Sequence, residues 1–195
     1  MPDRMLMAEP TVFPWESDAD AIARSVIDPE AFAVIFERHF DEIHRYPRRR
    51  FPEQAEELAA DVFVAAFDAR ARYRPYGDSA RPWLYGIASH LLSKRRRREV
   101  RSLRAHARSA GAHAFDETDV GGTVHRLAAS QQSAVLAGAL ATLAATDRDV
   151  LLMYALAELS YDEIAVALDV PIGTVRSRLA RARRLCAPML GELDD

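Results

Sequence analysis

The chain has 195 residues, 49% of them hydrophobic and 28% charged, the make-up of a globular protein with one domain or two small ones. A single cysteine excludes an internal disulfide, and neither a long apolar run nor a hydrophobic core in Met1–Ala8 suggests membrane insertion or export, so a cytoplasmic location is expected. The net charge of −3 looks unsuited to nucleic acid, but it hides segregation: Lys94–Arg108 carries eight Lys or Arg against Glu99 alone, whereas Glu53–Asp68 carries five acids and neither Lys nor Arg.

Taken in order, Met1–Glu16 holds three prolines and scattered apolar residues and reads as a loose tail. Ser17 or Asp18 caps a short helix through Val26. Asp28-Pro29 starts the next, a cap followed by a first-turn proline. Its stripe is Phe32, Ile35, Phe36, Phe40 (or His39), Ile43 and Tyr46, and Pro47 is expected to kink or end it. Pro52 opens a further helix striped by Leu58, Val62, Phe63, Ala66 and Phe67, with its acids near the N-terminus and Arg70 and Arg72 near the C-terminus, as the helix dipole favours. Arg74–Ser79 reads as a loop on its proline and glycine. Asp78 or Ser79 then caps a helix bearing Trp83, Leu84, Ile87, Ala88 and Leu91, which runs into the basic stretch 94–98.

Ser109–Gly122 is rich in small and polar residues without apolar periodicity, and reads as a linker. Val135, Leu136, Ala139, Leu140 and Leu143 stripe another helix. Thr146 with Asp149 is expected to cap the one after it, which carries Val150, Leu151, Met153 and Tyr154.

The segment Leu159–Cys186 is the most informative. Ser160 and Glu163 fit an S-x-x-E capping box, and Ile164, Ala165 and Leu168 follow at helical spacing. The helix is expected to stop near Asp169, a residue that tolerates the left-handed conformation, and Pro171 to open a second helix. Ile172, Val175, Leu179, Ala182 and Cys186 make its buried stripe, which gives Cys186 a core role. Thr174, Ser177, Arg181 and Arg184 lie on the opposite face, with Arg176, Arg178 and Arg183 on the flanks. From Pro171 to Leu185 there are five arginines and no acid. Two short helices, a tight turn, the small Ala165 at the crossing and a basic outer face describe a helix-turn-helix that enters a major groove, where arginine can bond a guanine edge or a phosphate bidentately. An ordinary amphipathic helix with a solvated basic face would show the same stripe.

The segment LSYDEIAVALDVPIGTVRSRLARARRL resembles the fourth-region domain of bacterial sigma factors of the extracytoplasmic-function group. AEELAADVFVAAF at 55–67 and GDSARPWLYGIASHLLSKRRRR at 77–98 resemble the second-region domain of that family. The resemblance covers roughly Asp18–Arg104 and Leu136–Leu190. It implies an all-α fold of two small helical domains on a flexible linker: a tail at 1–17, a second-region domain at 18–104, a linker at 105–132 and a helix-turn-helix domain at 133–195. It further implies that Thr174, Arg176, Ser177, Arg178, Arg181 and Arg184 meet the minus-thirty-five promoter element. Tyr76, Asp78, Ser79, Trp83, His90, Lys94 and Arg97 would meet the minus-ten element, and Glu57, Asp61 and Val64 core RNA polymerase. Promoter DNA, the polymerase and an anti-sigma factor are the implied partners. Departures from the family pattern are His90 for the usual Asn, Ala60 for Gln, Pro47 in a helix normally continuous, and Asp169 for Gly.

No catalytic site is expected. None of the six histidines pairs at i, i+4 spacing, and no Walker loop, GxGxxG, GxSxG or paired catalytic carboxylates occur, so no metal, cofactor or small-molecule substrate is expected either. Glu56, Glu57 and Asp61 read as a solvated or partner-facing surface, and Trp83 as core more than as a stacking platform. The competing function is a helix-turn-helix regulator that binds DNA as a homodimer without polymerase. It would need a dimerisation helix, for which only Ala187–Asp195 follows the motif.

Overall fold

The computed structural model describes residues 17–50, 54–93, 96–109 and 134–190, and the described residues are helices and turns with no strand. The chain forms two compact units, Met1–Leu91 and Leu92–Asp195. The tail, Pro52, Lys94 and most of the expected linker lie outside the described residues, as does the side chain of Arg97.

In the first unit, α1 (Asp18–Ser25) is capped by Ser17, whose Oγ accepts from the Asp20 N–H at 3.2 Å. Asp28 caps a 3-10 turn, Pro29–Phe32, that leads directly into α2 (Ala33–Arg50). Pro47 lies inside α2, which continues for three residues to Arg50 and so ends within one turn of the proline. Proline has no N–H to bond the carbonyl four residues back, for Pro47 that of Ile43, a loss spared only in the first turn. Here it falls in the last turn, beside a Tyr46 ring that is buried 5.3 Å edge-on from Tyr85 and anchors that turn. α3 (Ala55–Ala69) buries Leu58, Ala59, Val62, Phe63 and Ala66, packs along α2, and ends in a 3-10 turn, Arg70–Arg72. Phe63 meets Phe36 and Phe40 at 5.0 and 6.2 Å, while Phe32 meets Phe67 edge-on at 5.4 Å. α4 (Arg81–Ser93) buries Leu84, Tyr85, Ala88 and Leu92 and leaves Leu91 only half-buried. On α2 the inward position is His39, with Phe40 half-buried and Phe36 largely exposed.

The second unit holds α5 (Arg96–Ser109), α6 (134–142), α7 (Ala145–Leu156), α8 (Tyr161–Leu168) and α9 (Ile172–Leu190). Both α7 and α8 pack on α9. Val175, Leu179, Ala182 and Cys186 are all buried, as their spacing predicts, and burial pushes the Cys186 thiol up. Ala139, Leu143, Ala182 and Cys186 form one cluster that Leu140 and Leu151 flank. Leu136, expected in the α6 stripe, is exposed; Ala134 and Ala137 take the inward positions.

Thr146 and Asp149 do not cap α7. Its N-cap is Ala144, which makes no side-chain cap bond, and Asp147, Arg148 and Asp149 are all buried. Arg148 explains the difference. Its Nη1 donates to the carbonyl oxygens of Leu140 at 3.1 Å and Leu143 at 3.5 Å, satisfying acceptors at the end of α6 that helix geometry leaves orphaned. Turning this arginine inward fixes the rotation of α7 and outweighs a surface cap.

The capping box is present: Ser160 N–H donates to Glu163 Oε2 at 2.8 Å, and Glu163 N–H to Ser160 Oγ at 3.3 Å. Ser160→Ala removes one of these bonds and should cost about 1 kcal/mol. Chemical denaturation of the full chain reads this directly; no change in midpoint would mean that packing alone holds the start of α8.

Candidate nucleic-acid interface

In the helix-turn-helix, α8 ends on Asp169 at φ 51° and ψ 52°, the left-handed cap its residue type permits. The Val170 N–H then reaches back to the Ala165 carbonyl at 3.0 Å. Pro171 opens α9 by accepting from the Thr174 N–H at 2.8 Å. Arg176, Ser177, Arg181 and Arg184 are exposed, and Thr174 and Arg178 are half-buried. The Ser177 hydroxyl donates to the Thr174 carbonyl at 3.0 Å, which leaves its oxygen free to accept from outside.

The five arginines divide into two groups. Arg181 is 51% exposed, yet its Nη1 lies 3.3 Å from the carboxylate of Asp147, which is 1% exposed. Arg183 places its guanidinium 4.9 Å from the Tyr154 ring centre. Both are thereby tethered to α7. Arg176, Arg178 and Arg184 make no hydrogen bond or ion pair among the described residues, so their charge is available to an anion. Sequence reading identified the arginines but not Asp147, whose role depends on a helix 34 residues away in the chain.

In the first unit, Glu57, Asp61 and Val64 recur at four- and three-residue spacing on the outer face of α3, with Val64 62% exposed. The loop between the 3-10 turn and α4 bends at Gly77, φ +64°, and exposes Tyr76 and Asp78, with Ser79 half-buried. Ser79 Oγ accepts from the Arg81 N–H at 3.2 Å and so caps the start of α4 as expected. Trp83 is half-buried, and its ring sits 4.7 Å from that of Tyr73, a residue the sequence did not single out. Seven residues on, His90 is exposed, on the same side of α4 and about 10 Å further along its axis. Trp83 and His90 therefore share one side of α4, with Tyr73 beside Trp83.

Behind this surface lies a buried ionic network. The carboxylate of Asp18 accepts from the Ala80 N–H at 2.7 Å, meets His39 Nε2 at 2.6 Å and pairs with Arg38 Nη1 at 3.0 Å. His39 Nδ1 lies 2.7 Å from Glu42 Oε1, and Glu42 Oε2 lies 2.9 Å from Arg81 Nε. Burial by itself would raise the Asp18 carboxyl, but its hydrogen bonds to His39 and Ala80 and the neighbouring positive charge hold it down at about 2. Burial likewise disfavours charge on His39, and the hydrogen bonds and charges of Asp18 and Glu42 overcome it, pushing His39 up to about 9. Burial first, then the charge of Glu42, pushes the Tyr85 phenol up.

These shifts set a pH window. The His39 contribution to stability is complete below its ordinary value of 6.5 and disappears as pH climbs towards about 9; that of Asp18 holds above 3.8 and disappears as pH falls towards about 2. The melting temperature of the full chain should therefore drop between pH 6.5 and 9, and His39→Gln should remove most of that drop. An unchanged slope in the variant would show that other groups control alkaline stability.

Comparison with known proteins finds two family matches in the chain. The family model described as Sigma-70 region 2 matches residues 35–102, and that described as Sigma-70, region 4 matches residues 133–186. The chain is 32% identical to the RNA polymerase sigma factor YlaC of Bacillus subtilis over 76% of its length and 86% of that protein. It is 29% identical to the ECF RNA polymerase sigma factor SigM of Mycobacterium tuberculosis over 91% of its length and 87% of that protein. Among solved structures its fold is similar to CnrH in complex with the cytosolic domain of CnrY, with a TM-score of 0.59, 23% identity, and 90% and 97% of the two chains covered. It is also similar to the sigma factor RpoE in complex with the anti-sigma factor NepR from Bartonella quintana, with a TM-score of 0.54, 20% identity, and 86% and 98% covered.

Proposed function

The chain belongs to the sigma-70 family of RNA polymerase sigma factors, in its extracytoplasmic-function group, and we propose that its two units divide promoter recognition between them. The protein is not an enzyme: it binds core RNA polymerase and directs it to specific promoters for initiation, including promoter opening. The homodimeric regulator is not favoured, because a region 2 match accompanies the helix-turn-helix.

In this reading the first unit docks on core polymerase through Glu57, Asp61 and Val64 and handles the minus-ten element with Tyr76, Asp78, Ser79, Trp83 and His90, joined by Lys94 and Arg97. The second unit reads the minus-thirty-five element with Thr174, Arg176, Ser177, Arg178, Arg181 and Arg184. The observation that carries it is the set of three arginines on α9, Arg176, Arg178 and Arg184, that no acid among the described residues neutralises, beside the tethered Arg181. Arg176 and Arg181 fall towards the N-terminal and central part of α9, the part that recognition helices present to base edges, while Arg184 reaches phosphate. Asp147 holds Arg181 ready for its base. The site of action is the cytoplasm, where polymerase meets promoter DNA. An anti-sigma factor is the expected regulator, and pull-down from unstressed cells should return such a protein.

Transcription in vitro tests the whole reading. Core polymerase should initiate at discrete promoters only when this protein is added, and identical products without it would contradict the function. Arg176→Ala or Arg181→Ala should cost about 1–3 kcal/mol and flatten the preference at one minus-thirty-five position. Arg184→Ala should weaken all sequences alike and lower the salt slope by about one. Affinities of the holoenzyme for single-base promoter variants at two salt concentrations separate the two outcomes; base-selective loss in Arg184→Ala alone would reverse the orientation of α9.

A further inference from the structure

The ionic network behind the loop does more than a buried pair needs to do. Asp18 sits at the first position of α1, far in sequence from the loop, yet it grips the loop twice. Its backbone N–H donates to the Asp78 carbonyl at 3.4 Å, and its Oδ2 accepts from the Ala80 N–H at 2.7 Å. The next residue, Arg81, is held by Glu42 at 2.9 Å. His39, between Asp18 at 2.6 Å and Glu42 at 2.7 Å, closes the circuit. The junction 80–81, where the loop turns into α4, is thus clamped from α1 and α2 together. Ala80 is fully buried, whereas Tyr76 and Asp78 are exposed a few residues away. One end of the loop is fixed, and the bend at Gly77 projects its tip outwards.

We propose that Asp18 is a positioning residue for promoter opening, its carboxylate fixing the 76–80 segment against α2 and α4 so that the loop meets an unstacked base of the minus-ten element already in shape. The inference rests on the assignment of this loop to the minus-ten element. Its physical basis is preorganisation: a loop that is ordered beforehand spares the bound state the entropy of ordering it, and the benefit falls on the step in which a base is held out of the stack. Asp18 itself is buried and touches no DNA. It acts through the backbone of residues 78 and 80.

The test uses holoenzyme assembled from core polymerase and the full chain, carrying Asp18→Asn or His39→Gln. Asp18→Asn keeps the size of the side chain but removes the charge by which His39 and Arg38 hold it in place, so its grip on the Ala80 N–H is loosened. His39→Gln leaves Asp18 in place and opens the circuit on the α2 side. Three affinities are measured below the melting temperature of each variant: for core polymerase, for a duplex carrying the minus-thirty-five element, and for the single-stranded non-template minus-ten segment of a promoter selected by the wild-type holoenzyme from random duplex DNA. Asp18→Asn should lower the single-strand affinity roughly tenfold, the size expected when about one backbone residue must be ordered on binding. Permanganate reactivity of the opened promoter should fall in parallel, with the other two affinities unchanged and a smaller loss in the same direction for His39→Gln. Wild-type single-strand affinity in a folded Asp18→Asn holoenzyme would overturn the proposal. Equal loss of all three affinities in both variants would also overturn it, since the network would then serve the fold alone. If wild-type holoenzyme does not bind the single strand at all, it is the minus-ten assignment that fails.

Discussion

A carboxylate taken out of water must be matched by donors and positive charge, or it protonates or unfolds the site. Asp18 meets this constraint by collecting partners from three directions: Arg38 and His39 of α2, and the N–H of Ala80 at the entrance to α4. None of these partners is within ten residues of it in the chain, the nearest being Arg38, 20 residues away. The charge of Asp18 thus ties α1 to α2 and to the entrance of α4, in addition to the apolar core of Ile22, Ile35, Ile43 and Leu84. The outer surface of the unit, with Tyr76, Trp83 and His90, inherits its shape from that interior.

The second unit solves the same problem with the opposite charge. Arg148 is buried with its Nη1 bonded to the carbonyls that end α6, and its neighbour Asp147 points to Arg181 on α9. A helix that must place side chains against base edges benefits from a base that does not roll, and α7 supplies it through one ion pair and the Tyr154–Arg183 contact. Tethered arginines hold the helix and are presented in fixed geometry; unneutralised ones supply the field that draws in a polyanion. The overall charge of −3 is compatible with this because the acids lie elsewhere, on α3 above all.

What the sequence revealed follows from how local each signal is. The capping box at Ser160, the left-handed exit at Asp169, the Asp28 cap and the α9 stripe are decided within four or five residues and were legible, whereas at α1 the sequence left Ser17 and Asp18 as alternatives. Thr146 and Asp149 carry a cap signal just as clear, but the inward turn of Arg148 and Asp147 overrode it. The choice between His39 and Phe40 could not be made from periodicity, because only the distant Asp18 makes a histidine welcome inside. Pro47 was legible as a signal for the end of α2, which stops at Arg50, three residues beyond it. Tyr73 and Asp147 went unnoticed because each acquires its role from a residue on another element.

The division of labour between the units is tested most directly by site-specific photo-crosslinking in the open complex, with the crosslinker placed at Tyr76 in one holoenzyme and at Arg176 in another. Tyr76 should label the non-template strand at the minus-ten element, and Arg176 the duplex at the minus-thirty-five element. Exchange of the two footprints, or labelling of neither element from these positions, would contradict it.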